Sequence, residues 1–289
     1  MSDYVILTDS TTDLTPDLVK ELELEIIPMI FTIDGKSYRN DPQESELSSK
    51  QFYDLLRNGK TSTTSQVSVS CFEDNMTPFL EQGKDILYLS FSSGLSGTFN
   101  SSRLAIEAFS DKYPSCKIIT VDTLCASMGE GLLVYHAAKL RREGKSIEEV
   151  AAWVNDNKLK LCHWFTVDDL NFLKRGGRVS SAAALVGTML GIKPVLHVDN
   201  EGHLIPMEKV RGRKASLDAL LNHMEKTMLT QEQAVFVSHG DCAADCDYVV
   251  KELRSRFGIK YIHTNNIGPV IGSHSGPGTV AVFFLGTER

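Results

Sequence analysis

The segment that most restricts the fold runs from Ile86 to Phe109. An apolar run, Ile86-Leu87-Tyr88-Leu89, leads into Ser92-Ser93-Gly94-Leu95-Ser96-Gly97-Thr98, and a helix-like stretch follows from Phe99 to Phe109. Strand, small-residue turn and helix in that order are the unit of a parallel sheet wrapped by helices. Such a turn also leaves backbone N–H groups and hydroxyls at a helix N-terminus, where the dipole favours an anion.

The same alternation recurs along the chain. Val5-Ile6-Leu7 leads into Asp9-Ser10-Thr11, and Thr15-Pro16 reads as an N-cap with proline at the first helical position. Leu24 to Ile33, Ile86 to Phe91 and Ile118 to Val121 read as further strands. A helix is expected from about Ser127 to the stop at Gly144, and Ser146 with Glu149 fits a capping box for the next one. The second half begins near Lys158. There Leu161 to Val167 reads as a strand and Ser180 to Leu190 as a small-residue helix, and a hairpin-like turn, Asp199-Asn200-Glu201-Gly202, separates Pro194–Val198 from Leu204–Val210. Leu217, Leu220, Leu221, Met224 and Met228 recur at helical spacing after Lys214. A strand at Ala234 to Val237, a helix to about Phe257 and a buried strand from Thr279 to Leu285 close the chain. This half is α/β but more mixed, and no repeat or low-complexity tract interrupts it.

The chain's 289 residues suffice for two ordinary domains or one large one. With 42% hydrophobic and 23% charged residues, a packed core is expected and disorder is not. A net charge of −7 without a long basic run argues against nucleic acid as a partner. Six cysteines lack a paired framework, no signal peptide opens the chain, and no apolar run approaches a membrane span; a cytoplasmic protein is the expectation.

Three readings fit Ser96. As a nucleophile it would need the Gly-x-Ser-x-Gly elbow of hydrolases. Gly94-Leu95-Ser96-Gly97-Thr98 fails that pattern, and no obvious His and Asp partners follow in order. As plain structure it would cap a turn. As part of an anion site it uses more of the segment: two glycines allow close backbone approach, and Ser93, Ser96 and Thr98 supply donors. The Thr61-Ser62-Thr63-Thr64-Ser65-Gln66 cluster reads alone as a polar loop, and gains meaning if it faces the Ser96 turn.

His274 sits between two serines in a Gly- and Pro-dense stretch, Gly268 to Gly278, which reads as a constrained loop that positions a polar group. Lys174-Arg175-Gly176-Gly177-Arg178 and Arg211-Gly212-Arg213-Lys214 are the basic spots of an acidic chain. They fit a solvated surface, or docking of an acidic partner or a nucleotide phosphate. Cys242 and Cys246, with His239 and Asp241 nearby, suggest a metal site. Both cysteines, however, continue the apolar helical stripe of Val249, Val250, Leu253 and Phe257, so they read as small hydrophobes, and no metal or nucleotide cofactor motif is present.

Taken in order, these motifs resemble the DegV family, the bacterial fatty-acid-binding proteins that include the lipid-carrying subunits of fatty acid kinase. The resemblance rests on Asp9-Ser10-Thr11-Thr12-Asp13-Leu14, Thr64-Ser65-Gln66, Ser92 to Thr98, Leu173 to Arg178, and Gly268 to Gly278, and it spans essentially the whole chain. It implies an N-terminal three-layer α/β domain with a mainly parallel sheet (1–157) and a C-terminal mixed-sheet α/β domain (158–289). A long-chain fatty acid such as palmitate would lie in a tunnel between them. It also implies that Thr64, Ser96 and His274 hold the carboxylate, supported by Ser65, Ser93, Gly94, Gly97 and Thr98, with no cofactor. A separate ATP-dependent kinase subunit would phosphorylate the presented carboxylate, with Arg178, Arg211 and Arg213 as partner or phosphate contacts, and lipid exchange would entail only transient membrane contact. The chain departs from the family at Val67, where proline is usual, which bears on the rigidity of the Thr64 segment. Two alternatives stay open on the residues: a serine-dependent acyl hydrolase, and a carrier of another small apolar acid.

Overall fold

The computed structural model describes residues 4–179 and 191–289; the helix expected at Ser180 to Leu190 lies outside them. The first half runs β1 (Tyr4–Asp9), α1 (Pro16–Glu21), β2 (Leu24–Ile27), β3 (Met29–Ile33), β4 (Lys36–Asn40), α2 (Ser49–Arg57), β5 (Ser62–Ser65), α3 (Val69–Leu80), β6 (Asp85–Ser90), α4 (Thr98–Lys112), β7 (Ile118–Asp122), α5 (Met128–Arg142) and α6 (Ile147–Asn157). The second half runs β8 (Leu161–Thr166), α7 (Asn171–Gly176), β9 (Ile192–Val198), β10 (Leu204–Arg211), α8 (Arg213–Thr227), β11 (Ala234–His239), α9 (Ala243–Phe257), β12 (Tyr261–Asn266), α10 (Pro269–Ser275) and β13 (Val280–Leu285).

The fold is α/β. Strands β2-β1-β6-β7 form an all-parallel sheet, β4-β3-β5 a small antiparallel one, and β10-β9-β8-β13-β11-β12 a mixed one. The local signals act as expected where they are strongest. Thr15 accepts from the N–H of Leu18 ahead of Pro16, and Ser146 and Glu149 close a reciprocal capping box. The hairpin expected around Asp199 joins β9 to β10 as an antiparallel pair.

Three expectations need correction. The Leu24–Ile33 run is two strands in two sheets, broken at Pro28, which has no N–H to give a ladder. The Thr61–Gln66 cluster is not a loop: β5 occupies its centre and pairs with β3, setting Thr64 opposite Phe31. The Gly- and Pro-dense stretch holds a helix, α10. Pro269 sits at its first position, where a missing N–H does no harm, and Gly276 ends it at φ 79°.

The core does not divide between the halves. Leu132 and Leu133 of α5 share one buried cluster with Ile6, Leu87 and Leu89 of the parallel sheet and with Phe165, Phe236 and Phe283 of the mixed sheet. The opposite face of the parallel sheet packs Leu7, Ile86 and Tyr88 against Phe72 and Met76 of α3 and Phe109 of α4. The far face of the mixed sheet is covered by α8 and α9. Through the molecule the order is helices, sheet, helices, sheet, helices. Each fully buried Leu or Phe in these layers contributes roughly 1.5–3 kcal/mol.

Candidate functional site

A cavity of about 250 Å³ lies where the halves meet. Its walls are mostly apolar: Phe91 and Leu95 from the first half, and Phe165, Ile271, Ala281 and Phe283 from the second, are among them. Thr64, Ser96, His274 and Arg178 line it as well, so four side chains picked from separate sequence segments converge on one space.

Each is delivered by a different element. Alternation along β5 turns Ser62 and Thr64 towards α10 and leaves Ser65 exposed. Ser273 Oγ meets Ser62 Oγ at 2.8 Å, and His274 Nε2 meets Thr64 Oγ1 at 2.8 Å. His274 Nδ1 is buried without a partner, pressed on Gly176, where any Cβ would collide with the ring. Burial, reinforced by the charge of Arg178, lowers the His274 pKa to about 4, so the ring is neutral near pH 7. With Nδ1 facing no donor or acceptor, we assign the proton to Nε2, which then donates to Thr64 Oγ1. The Thr64 hydroxyl hydrogen is thereby left for an acceptor in the cavity.

The Ser96 loop is tied to the Thr64 strand from behind. Val67 N–H donates to Thr98 Oγ1 at 3.2 Å, Gln66 Nε2 donates to Ser101 Oγ at 3.0 Å, and Ser96 Oγ lies 2.9 Å from Thr98 Oγ1. The two hydroxyl clusters therefore face each other, as their joint reading requires. Val67 is itself buried and held through this N–H, which proline could not supply.

The turn differs from its expected chemistry in one respect. Ser93 N–H donates to Asp122 at 3.1 Å, Gly94 N–H to Ser92 Oγ at 3.2 Å, Leu95 and Ser96 N–H to the Ser92 carbonyl, and Thr98 N–H to Ser96 Oγ. These five amides are committed within the protein, so the donors left facing the cavity are side-chain hydroxyls and the Gly97 amide. Nor do the glycines make room for a ligand. A Cβ on Gly94 would stand 2.8 Å from the Glu201 carbonyl oxygen of the β9–β10 turn, and one on Gly97 would strike the Gln66 amide. Ser92 Oγ donates to Gly202 O at 2.9 Å in the same contact. Ser93, Gly94 and Thr98 thus shape the loop from outside the cavity, whereas Ser65 and Gly97 line its rim and are exposed.

The basic residues separate. Arg178 turns inward, donating Nε–H to the Leu95 carbonyl at 3.3 Å and bonding Gly176 O through Nη1. Arg213 pairs with Asp245 at 2.8 Å and donates to the Gly278 carbonyl at 2.6 Å, so its charge is occupied within the fold. Arg211 is exposed at the end of β10. Cys246 is buried on the α9 stripe, Cys242 occupies that helix's N-cap position, and all six cysteines are free. No cluster of His, Cys, Asp or Glu suited to a metal occurs among the described residues.

Sequence reading missed a buried acidic group beside the cavity. Asp9 accepts from the N–H of Thr11 and Phe91 and from Tyr88 Oη, and Glu130 from the hydroxyls of Thr8 and Thr11. Asp13 accepts from Ser127 Oγ at 2.5 Å and from Gly268 N–H at 2.9 Å, which ties the start of α10 to the β1 loop. Ser127 also lines the cavity and is held at φ 53°, a conformation that no local sequence signal announces. Burial raises all three carboxyl pKa values, that of Asp13 to about 7. None of the three has an ion pair among the described residues.

No helix among the described residues is long and apolar enough to cross a membrane. A family model described as an uncharacterised protein of the DegV family matches residues 3–287. A DegV domain-containing protein of Clostridium perfringens is 47% identical over 290 residues, covering 100% of this chain and 99% of that protein. Two solved structures share the fold. A fatty-acid-binding DegV family protein from Thermus thermophilus matches at TM-score 0.89 and 31% identity over 97% of this chain and 98% of its own. A DegV lipid-binding protein from Thermotoga maritima matches at TM-score 0.86 and 32% identity over 99% of each.

Proposed function

The chain belongs to the DegV family, and from that premise we propose that it is a carrier of a long-chain fatty acid, with the guest lying between the 1–157 and 158–289 portions. The observation that carries this reading is the meeting of Thr64, Ser96 and His274 at the rim of an otherwise apolar cavity. A buried carboxylate must be well hydrogen-bonded or paired. Here the Thr64 and Ser96 hydroxyls donate, neutral His274 orients Thr64, and Arg178 supplies positive potential. The tail supplies most of the affinity. At about 0.8 kcal/mol per buried CH₂, roughly fifteen methylenes offer about 12 kcal/mol as an upper bound, and ordering of tail and protein removes several of those. The head group sets register more than strength.

The second part of the proposal is presentation. Ser65 and Gly97 are exposed at the rim, so the head end is the end nearer to solvent. A carboxylate held there is within reach of an ATP-dependent kinase subunit, which would convert it to an acyl phosphate. Exposed Arg211 is the better docking contact, because Arg213 is paired and Arg178 faces inward. The hydrolase alternative is less favoured, since no histidine or carboxylate hydrogen-bonds Ser96 among the described residues.

Mass spectrometry of an organic extract of the purified protein tests the carrier reading, with a stoichiometric long-chain acid expected and an empty extract that no added acid fills as the contrary result. With a kinase subunit and ATP, Ser96→Ala should lower acyl phosphate formation more than fatty acid retention. Equal loss of both would remove that division of labour.

A further inference from the structure

Three consecutive residues at the end of α10 divide between two surroundings. Ser273 bonds Ser62, His274 bonds Thr64, and Ser275 faces the cavity, where its hydroxyl has no partner. Ser275 is only 6% exposed, so water at the surface does not serve it. Its backbone carbonyl accepts from Thr279 Oγ1 at 3.0 Å, which fixes this end of the helix against β13. Successive helical side chains diverge by about 100°, so Ser275 is carried from the β5 side, where Ser273 and His274 bond, towards the mixed sheet. Neither Thr64 nor Ser96 bonds it. An orphaned hydroxyl in an apolar cavity calls for a polar group on whatever fills that cavity.

We propose that Ser275 forms a second polar subsite, one step inward from the carboxylate corner, which recognises an oxygen on C2 or C3 of the acyl chain. The ligand class is thus the 2- and 3-hydroxy long-chain acids. This rests on the carrier reading above, which places the carboxylate at Thr64 and Ser96. Ser275 directly follows His274 and lines the same cavity as Thr64 and Ser96, so it meets the carboxyl end of a guest and not the far end of its tail. An oxygen that close to the carboxyl carbon can meet Ser275 while the carboxylate remains on the Thr64 side. A plain fatty acid leaves the Ser275 hydroxyl unpaired; a hydroxy acid satisfies both hydroxyls at once.

The test is competitive displacement of a fluorescent fatty acid by palmitic, 2-hydroxypalmitic and 3-hydroxypalmitic acids, for the wild type and Ser275→Ala. The wild type should bind one of the hydroxy acids at least as tightly as palmitic acid. Ser275→Ala should weaken that hydroxy acid about tenfold, because its hydroxyl is then buried without a partner, and leave palmitic acid within twofold. Retained palmitic acid binding also reports that the variant is folded. If Ser275→Ala weakens all three acids equally, Ser275 is a carboxylate donor and the subsite is refuted. A ratio between acids that does not move with the substitution refutes it too, while palmitic acid binding leaves the carrier reading standing. If no acid displaces the probe from the wild type, both readings fall.

Discussion

Two places in this molecule are built from the same parts and differ in what fills them. Around Asp9 and Glu130, the hydroxyls of Thr8, Thr11 and Tyr88 converge on carboxylates that belong to the chain. At the cavity rim, Thr64 and Ser96 converge on a space where the described residues supply none. The first place demonstrates that hydroxyls and amides alone can hold a carboxyl group out of water, since no ion pair reaches Asp9 or Glu130 among the described residues. It also displays the consequence, because burial outweighs the hydrogen bonds and both pKa values rise. The rim has one component the interior group lacks, the cation of Arg178. We read that charge as the difference between storing a carboxyl group permanently and accepting one as an ion.

The comparison is most severely tested at Asp9. Asp9→Ala orphans the N–H groups of Thr11 and Phe91 and the Tyr88 hydroxyl, and should cost about 3–5 kcal/mol in urea unfolding. The folded fraction should still retain lipid; parallel loss of lipid would mean the two places are one site. Thr64→Val combined with Ser96→Ala should weaken palmitate binding at least a hundredfold at pH 8, since each lost bond to a charged acceptor is worth about 1.5–3 kcal/mol, and should lower the melting temperature by only a few degrees, because the His274 Nε2–H and the Thr98 N–H lose their acceptors. Arg178→Gln should weaken binding about tenfold at pH 8 and much less at pH 5, where a buried guest carboxyl is more readily protonated. A pH-independent loss would show that Arg178 acts by packing.

A stability effect, separate from binding, concerns Asp13. Its folded pKa, raised by burial to about 7, exceeds the unfolded value, so the folded state holds more protons between the two. Its contribution therefore weakens stability as pH rises through that window. Asp13→Asn preserves the bonding pattern to Ser127 and Gly268, and should gain on the wild type by about 2–3 kcal/mol from pH 5 to pH 8. Measuring the difference between variants cancels the opposing drift from His163 and His274, whose depressed pKa values make acidification unfavourable. A difference that stays flat with pH would mean that Asp13 is ionised throughout.

Much of this was legible in the sequence because it is local. The caps at Thr15 and Ser146, the hairpin around Asp199 and the strand at Ile86 are set by neighbours in the chain. Ser96 could be singled out by residue type and turn chemistry, whereas Thr64 stood out from its polar cluster only through the family resemblance, and only the fold brings the two to one rim. What escaped was whatever depends on partners far along the chain. Gly94 looks like a ligand glycine until the Glu201 turn is seen lying on it, and Arg213 looks like a surface cation until Asp245 and Gly278 are found around it. Asp13 and Ser127 are ordinary residues in sequence, and α10 hides behind glycines and prolines that read as turns.

The β9–β10 turn resting on Gly94 gives the Ser96 loop a lever that reaches the surface. Glu201 is exposed on that turn, yet its backbone touches the loop that ends in Ser96. A small fluorophore attached through Glu201→Cys would sit outside the cavity and still register, by its brightness or anisotropy, whether the loop is braced by a guest, so occupancy becomes something that can be watched in real time without labelling the lipid.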